Sequence, residues 1–374
     1  MLKASIKPSP EIRKNSRLEA VDSYGGKIGR QMEQGIMIAK GAGALLPQDL
    51  ITLSSVLKVC DMDTVVLGAH LKAAAIDSEV VGDSIFCHIE TDFSFRGRFA
   101  IPADWCLLGY LHDANHASGC NGTPISSGTA FTVFPGGSSE FVFGADSCAY
   151  IMLLPLQRLR QKFAQLVHPD LDIPARLLAM FNLSGSQLGA TLSANFQRVH
   201  QHLFRDVREN AVAGPLIEKE LDTLLENHLL AGLSAQSDDR PQCSRGRRAH
   251  YQIVQRAEHY MRENLRRVIY LDELCKAAGV SERALRYAFD DLLGLSPNRY
   301  LSMLRLCTAF RALSTADASR RSVKSVALSC GLWDLSRFAD HYRHTFGELP
   351  RDTLMRAPPA EPTSPFAARE MAYH

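Results

Sequence analysis

Among the side chains able to do chemistry, arginine is the one this chain concentrates, and it gathers at one end. From Arg245 to Arg356 there are 20 Lys and Arg against 12 Asp and Glu, about +8, so the rest of the 374 residues carries about −6 within a formal net charge of +2. A cationic module beside an acidic body suits a polyanionic partner, because neutralised phosphates release counterions and supply most non-specific nucleic-acid affinity. Other chemistries find less support. The nine cysteines are scattered, odd in number and contain no Cys-x-x-Cys pair, which argues against a disulfide framework or a zinc knuckle. His112, His116 and Cys120 recur every four residues, but Asp113, Asn115 and Gly119 make that stretch a turn, so they read as loop residues and no metal site is expected. With no glycine-rich phosphate loop and no nucleophile elbow, no catalytic residue is nominated.

The elements that must position the basic residues come in duplicate. Residues 271–297 read LDELCKAAGVSERALRYAFDDLLGLSP and residues 323–350 read VKSVALSCGLWDLSRFADHYRHTFGELP. Leu271 pairs with Val323, Leu274 with Val326 and Gly279 with Gly331; after one extra residue Leu285 pairs with Phe338, Phe289 with Tyr342, Gly294 with Gly347 and Pro297 with Pro350. Each copy predicts a short helix ended by a glycine, a tight turn, and a second helix over 282–293 or 335–346. Ser281 and Asp334 are placed as N-caps. Leu271, Leu274, Leu285, Phe289, Val326, Phe338, Tyr342 and Phe346 are the expected core. Between the copies, Pro297 opens an apolar-striped helix of about 18 residues, about 27 Å long, comparable with the ~34 Å pitch of DNA.

The front of the chain has a different texture. Residues 1–45 lack any period and read as a mobile arm. From 46 to 155, β-forming runs at 64–67, 84–87, 105–108, 130–134, 140–143 and 150–154 alternate with turn signals such as Asn121-Gly122 and Pro135-Gly136-Gly137, predicting a small sandwich or barrel. From 156 to 233 the period is helical, with stripes at Leu156, Leu159, Phe163, Leu166 and at Leu216, Ile217, Leu221, Leu224, Leu225, Leu229, suited equally to the chain's own core or to a partner subunit. Residues 234–248 read as a linker, and 357–374, with four prolines, as a disordered tail. The predicted class is therefore α+β, in several domains. No charge-free apolar run reaches 18 residues and no signal-peptide core follows Met1, so a cytoplasmic protein without a membrane segment is expected.

The stretch from His250 to Arg356 resembles the AraC/XylS DNA-binding domain, on the strength of AAGVSERALRYAF and SVALSCGLWDLSRFADHYRHTFGELP. Leu332 and Tyr342 depart from the family's commoner Phe while remaining apolar. The resemblance implies a bacterial, nucleoid-associated transcription regulator in which the domain spans 249–356 and two helix-turn-helix units enter adjacent major grooves of promoter or operator DNA. It nominates Arg283, Arg286 and Tyr287 in the first unit, and Ser336, Arg337, Asp340 and His341 in the second, as readers of base edges. Arg299, Arg305, Arg320, Arg321, Lys324 and Arg343 are nominated for phosphates. A homodimer, a small effector and RNA polymerase are the further partners it implies. More loosely, the β-rich segment with GCNGTPISSGTAFTVFPGG resembles the cupin-like sensor of such regulators, which would make 156–233 a dimerisation and coupling region. The alternative is a metal-dependent cupin-type enzyme tethered to DNA. Such enzymes need a His-x-His pair on a strand, and the one example here, His200 and His202, falls in a helix-like stretch.

Overall fold

A computed structural model describes residues 61–68, 74–136, 138–204 and 214–356. The arm, the tail and the first residues of the β-rich segment lie outside the described residues.

The front segment forms two antiparallel sheets. One has the order β1 (Asp61–Val66), β4 (Phe95–Ala100), β9 (Ser138–Phe143), β6 (Gly119–Cys120), β7 (Thr123–Pro124). The other runs β11 (Met180–Asn182), β8 (Thr129–Val133), β5 (Trp105–Asp113), β10 (Ser147–Pro155), β3 (Ser84–Thr91), β2 (Ala74–Val81). Among the described residues the strands make this two-sheet arrangement and not a closed barrel. Because side chains alternate across a strand, β10 sends Ala149, Ile151 and Leu153 into the core that includes the inner face of the first sheet, and Tyr150, Met152 and Leu154 to the other face. Both faces are covered, which is why the strand reads as an unbroken apolar run.

The second face is covered by helices: α1 (Leu156–Leu166), the one-turn α2 (Ala175–Leu178), α3 (Gln187–Phe204) and α4 (Gly214–Ser234). Leu159 and Phe163 of α1, Phe196 and Val199 of α3, and Ile217, Leu221, Leu224, Leu225 and Leu229 of α4 are buried against it. Most of both leucine stripes thus belongs to the chain's own core, with Leu216 left exposed. His228 of α4 is fully buried beside Thr132, its Nε2 lying 2.9 Å from the hydroxyl oxygen, and burial pushes its pKa down to about 3.

The remaining helices are α5 (Arg245–Glu263), α6 (Leu271–Ala278), α7 (Glu282–Leu293), α8 (Pro297–Ser314), α9 (Val323–Ser329), α10 (Leu335–Phe346) and α11 (Pro350–Met355). Residues 245–248, expected in a linker, are the first turn of α5. Ser244 caps it by accepting a hydrogen bond from the Arg247 amide, and the arginine-rich turn carries no apolar period to betray it.

These helices are joined to the first sheet by buried charge. Arg96 on β4 is fully enclosed: one guanidinium nitrogen donates to the Tyr300 hydroxyl at 2.8 Å and contacts Glu258 of α5, and the other lies 2.7 Å from Glu140 Oε2 of β9. Gln255 Nε2 also donates to that Glu140 oxygen at 2.5 Å, and Arg98 approaches it at 3.1 Å. Arg262 lies 2.6 Å from Glu258 Oε1 and 2.6 Å from Asp63 Oδ2 of β1, while Arg311 of α8 lies 2.5 Å from Asp63 Oδ1. Burial works to raise the Glu258 carboxyl, but the charges of Arg96, Arg262 and Arg98 outweigh it and hold it below the ordinary carboxylate range.

Removing one partner of such a network strands the others without compensation. Arg96→Met is expected to destabilise the full chain by about 3–5 kcal/mol in urea unfolding; a loss under about 1 kcal/mol would show that water already screens Glu140 and Glu258. His228 gives a second test. Its folded pKa is depressed below the unfolded value, so the unfolded chain binds the extra proton as pH falls from about 6.5 toward 3. The His228 contribution is fully present above that window and is lost within it, by up to ~1.4 kcal/mol per pH unit. His228→Gln should flatten the acid limb of the stability profile by up to one proton, and an unchanged slope would refute the assignment.

Candidate nucleic-acid interface

Local chemistry explains each turn of the duplicated unit. Helix α6 ends at Gly279, whose φ of +69° is left-handed, and the Val280 amide reaches back to the Cys275 carbonyl at 3.0 Å. Ser281 then starts α7 by accepting from the Ala284 amide at 3.4 Å. The second copy repeats this. Gly331 sits at φ +74°, the Leu332 amide reaches the Ala327 carbonyl at 3.0 Å, and Asp334 Oδ1 accepts from the Arg337 amide at 3.0 Å. A carboxylate cap also sits favourably at the positive end of the helix dipole.

Each second helix buries one face and presents the other. Leu285, Ala288 and Phe289 of α7, and Phe338, Tyr342 and Phe346 of α10, are buried. Leu271 is the one expected core residue that remains half-exposed. Arg283, Arg286 and Tyr287 fall at i, i+3 and i+4 on α7 and are all exposed, bordering an open groove with Glu282, Asp290 and Ser296. On α10, Ser336, Arg337, Asp340 and His341 are exposed with the same spacing from Arg337 onward. Arg286 is held by its own helix, one guanidinium nitrogen lying 2.7 Å from Glu282 Oε1, an exposed pair that costs little to exchange. The Tyr287 ring meets His250 edge-on at 5.2 Å, and His250 in turn lies 2.8 Å from Asp291.

Of the residues nominated for phosphate, Arg299 stands in the first turn of α8, Arg320, Arg321 and Lys324 around the start of α9, and Arg343 in the last turn of α10, all exposed. Arg305 is differently placed. Its guanidinium donates to the Leu265 carbonyl at 3.2 Å and to the Arg267 carbonyl at 2.6 Å, tying α8 to the turn after α5. A residue the sequence did not single out joins the exposed set: Trp333, 57% exposed, immediately before the Asp334 cap. A lone aromatic in a turn has no period to mark it.

Residues 274–356 match the family described as a helix-turn-helix domain. The chain is 34% identical over 151 residues, 40% of its own length and 44% of the other's, to the XylDLEGF operon transcriptional activator 1 of Pseudomonas putida. It is 38% identical over 102 residues, 27% of each chain, to the HTH-type transcriptional regulator GbdR of Pseudomonas aeruginosa. A solved structure described as a "probable AraC family transcriptional regulator from Rhodopseudomonas palustris CGA009" is 38% identical and covers 29% of this chain and 98% of its own, with a TM-score of 0.26. The C-terminal domain is thus a helix-turn-helix domain of the AraC/XylS type. It spans less than half the length of the two curated relatives just named.

The two turn glycines of this AraC/XylS domain share a backbone conformation and differ in surroundings. A Cβ at Gly279 would meet nothing within 4 Å, whereas one at Gly331 would sit 2.1 Å from the Leu265 carbonyl oxygen and 3.0 Å from Arg305 Nε. Gly279→Ala is therefore expected to cost about 1–2 kcal/mol from its left-handed φ alone. Gly331→Ala must also displace backbone and should cost at least about twice as much. Equal losses in thermal unfolding would contradict the packing described at Gly331.

Proposed function

We propose that this AraC/XylS-type chain is a sequence-specific DNA-binding regulator of transcription whose two recognition helices enter successive major grooves on one face of promoter DNA. The observation that carries the reading is the pairing of exposed arginines near the starts of α7 and α10, in two copies of one unit joined by the 18-residue α8. At about 1.5 Å per residue α8 is about 27 Å long, close to one helical turn of DNA. Arg283, Arg286 and Arg337 suit bidentate contact with guanine O6 and N7, while Tyr287, Ser336, Asp340 and His341 complete the base-facing surface. Arg299, Arg320, Arg321, Lys324 and Arg343 set register on the phosphates. Arg305, occupied by two carbonyls, is left out of that set.

The front half is then the regulatory part. Its two sheets correspond to a cupin-like sensor for a small effector or partner, and the helices of 156–233 carry homodimerisation. RNA polymerase is the partner of the DNA-bound state, and activation is supported by the name of the Pseudomonas putida relative, a transcriptional activator. Among the described residues no helix is long and apolar enough to cross a membrane; action on DNA is what places the chain in the cytoplasm in this reading.

Arg337→Ala should weaken binding to the cognate site by about 1–3 kcal/mol with little change on random DNA. Replacing Arg320, Arg321 and Lys324 by Ala together should weaken both alike and reduce the logarithmic salt slope by about 2–3. Footprinting the chain's own promoter region, followed by titration of these variants, measures both. An equal loss on both DNAs for Arg337→Ala would move that residue to the phosphate set, and absence of any footprint at moderate salt would remove the regulator reading.

A further inference from the structure

A cluster unconnected with DNA lies on the opposite side of the front domain. Asp77 of β2 and His88 of β3 are directly cross-strand from each other, so their side chains emerge together on the helix-covered face of the six-stranded sheet. His200 comes down from α3. Its Nε2 lies 3.0 Å from Asp77 Oδ2, and His88 Nδ1 lies 3.3 Å from that same oxygen. The three potential donor atoms all lie within 4.8 Å of one another. Aromatic rings wall them in. Tyr150 stands 4.9 Å from His88 and 5.7 Å from His200, and Phe204 stands 5.2 Å from His200. Asp77 and His88 are buried, while the His200 side chain keeps 12% exposure, enough for an approach from solvent.

Charge makes this arrangement incomplete as it stands. A carboxylate and two neutral imidazoles sum to −1 inside a largely aromatic layer, and among the described residues the ion-pair partners of Asp77 are His88 and His200. Burying an ion without compensation is costly, so a cation must enter: a proton on one imidazole, or a metal. The separations, which serve as Asp77–imidazole hydrogen bonds here, also fit ligands of one metal ion. Donors about 2.0–2.2 Å from an ion have edges of about 3.0 Å in octahedral and about 3.3–3.6 Å in tetrahedral coordination, the range of the two measured separations. The far nitrogen of His88 is also fixed, 3.3 Å from Cys148 Sγ, as metal-bound imidazoles are usually held by an outer partner. Two imidazoles and one carboxylate with an open position suit zinc and neighbouring divalent transition ions, and disfavour calcium and magnesium, which prefer all-oxygen cages.

We propose that Asp77, His88 and His200 form a divalent transition-metal site, with zinc as its best fit, that fastens helix α3 to the six-stranded sheet. The site differs from a barrel-interior metal centre because its ligands face the helical layer, and it stands whether or not the chain regulates transcription.

The test uses the full chain, stripped with chelator and titrated with Zn2+ against a chromophoric competitor. The expected result is one Zn2+ per chain at a Kd of about 1 μM or tighter, visible d–d bands of a distorted tetrahedral or five-coordinate ion on Co2+ substitution, and a thermal midpoint raised by zinc. Asp77→Asn and His200→Gln should each weaken binding at least about 10-fold and abolish the thermal shift. Wild-type protein that takes up no stoichiometric Zn2+ or Co2+ at about 100 μM overturns the proposal without recourse to a variant. So does undiminished binding by a folded Asp77→Asn/His200→Gln double variant, which would place the metal elsewhere.

Discussion

Arg96 is the residue on which the arrangement of the two halves turns. It stands on a strand of the first sheet, yet its guanidinium is enclosed by Glu140 of the same sheet, Glu258 of α5 and Tyr300 of α8. A buried guanidinium makes favourable contacts only in the geometry its fork allows, because any displacement leaves a charge unpaired in a poorly solvating interior. Such a network is demanding about orientation without being a strong source of stability, since well-packed apolar groups in place of buried ion pairs are often at least as stabilising. Through Glu258 it positions α5, which packs against α6 and α7. Through Tyr300, and through Arg311 with Asp63, it positions α8. The first recognition helix and the connecting helix are thus both referenced to the sheet.

Legibility in the sequence follows the range of the interactions. The spans predicted for the recognition helices, 282–293 and 335–346, coincide with those observed because every signal that sets them is local: Ser281 and Asp334 at one end, left-handed Gly294 and Gly347 at the other. The six predicted β runs likewise fall within or overlap strands, and the four in the second sheet (84–87, 105–108, 130–134 and 150–154) read clearly because both faces of that sheet are covered. Five strands escaped, and β6, β7 and β11 among them are only two or three residues long; β4 and β2 are the instructive cases. In β4, FRGRFA, Phe95 and Phe99 point into the core while Arg96 and Arg98 point outward, a pattern that reads as a charged, solvated edge unless one knows that α5 covers it. In β2, Asp77 interrupts the apolar period for the sake of partners 11 and 123 residues away, so no window of sequence contains the reason for it.

Arg305 shows the same limit from the other side. Within α8 it is one arginine on a helix rich in basic neighbours, and charge alone assigns it to phosphate. Its role is decided by Gly331, which lets α9 end close enough for the Leu265 carbonyl and the Arg305 guanidinium to meet across the turn. The same glycine that marks the helix-turn-helix unit in the sequence thus also allows the second unit to lodge on the end of α5. One residue serves the local turn and the long-range packing, and only the first duty can be read without coordinates.

The junction combines apolar contact, since one core cluster runs from the first sheet into the C-terminal helices, with buried charge, and the charged part has a consequence for any movement between the halves. If α5 and α8 separate from the first sheet, the surfaces that emerge bear Arg96, Arg98, Glu140, Glu258, Arg262, Asp63 and Arg311, which water solvates well. A wholly apolar junction would instead expose a sticky patch and favour aggregation. The carboxylates and guanidinium groups nearly balance in number, so their mutual attraction is traded for hydration, and their contribution to the free-energy gap between docked and separated forms stays small compared with the gross interaction energy. The charged part of the boundary is thus selective for one orientation, while the penalty of separating the halves falls mainly on the apolar contacts they share. The contacts of the helices of 156–234 with the second sheet are largely apolar and offer no such exchange, which ties that layer to the front domain.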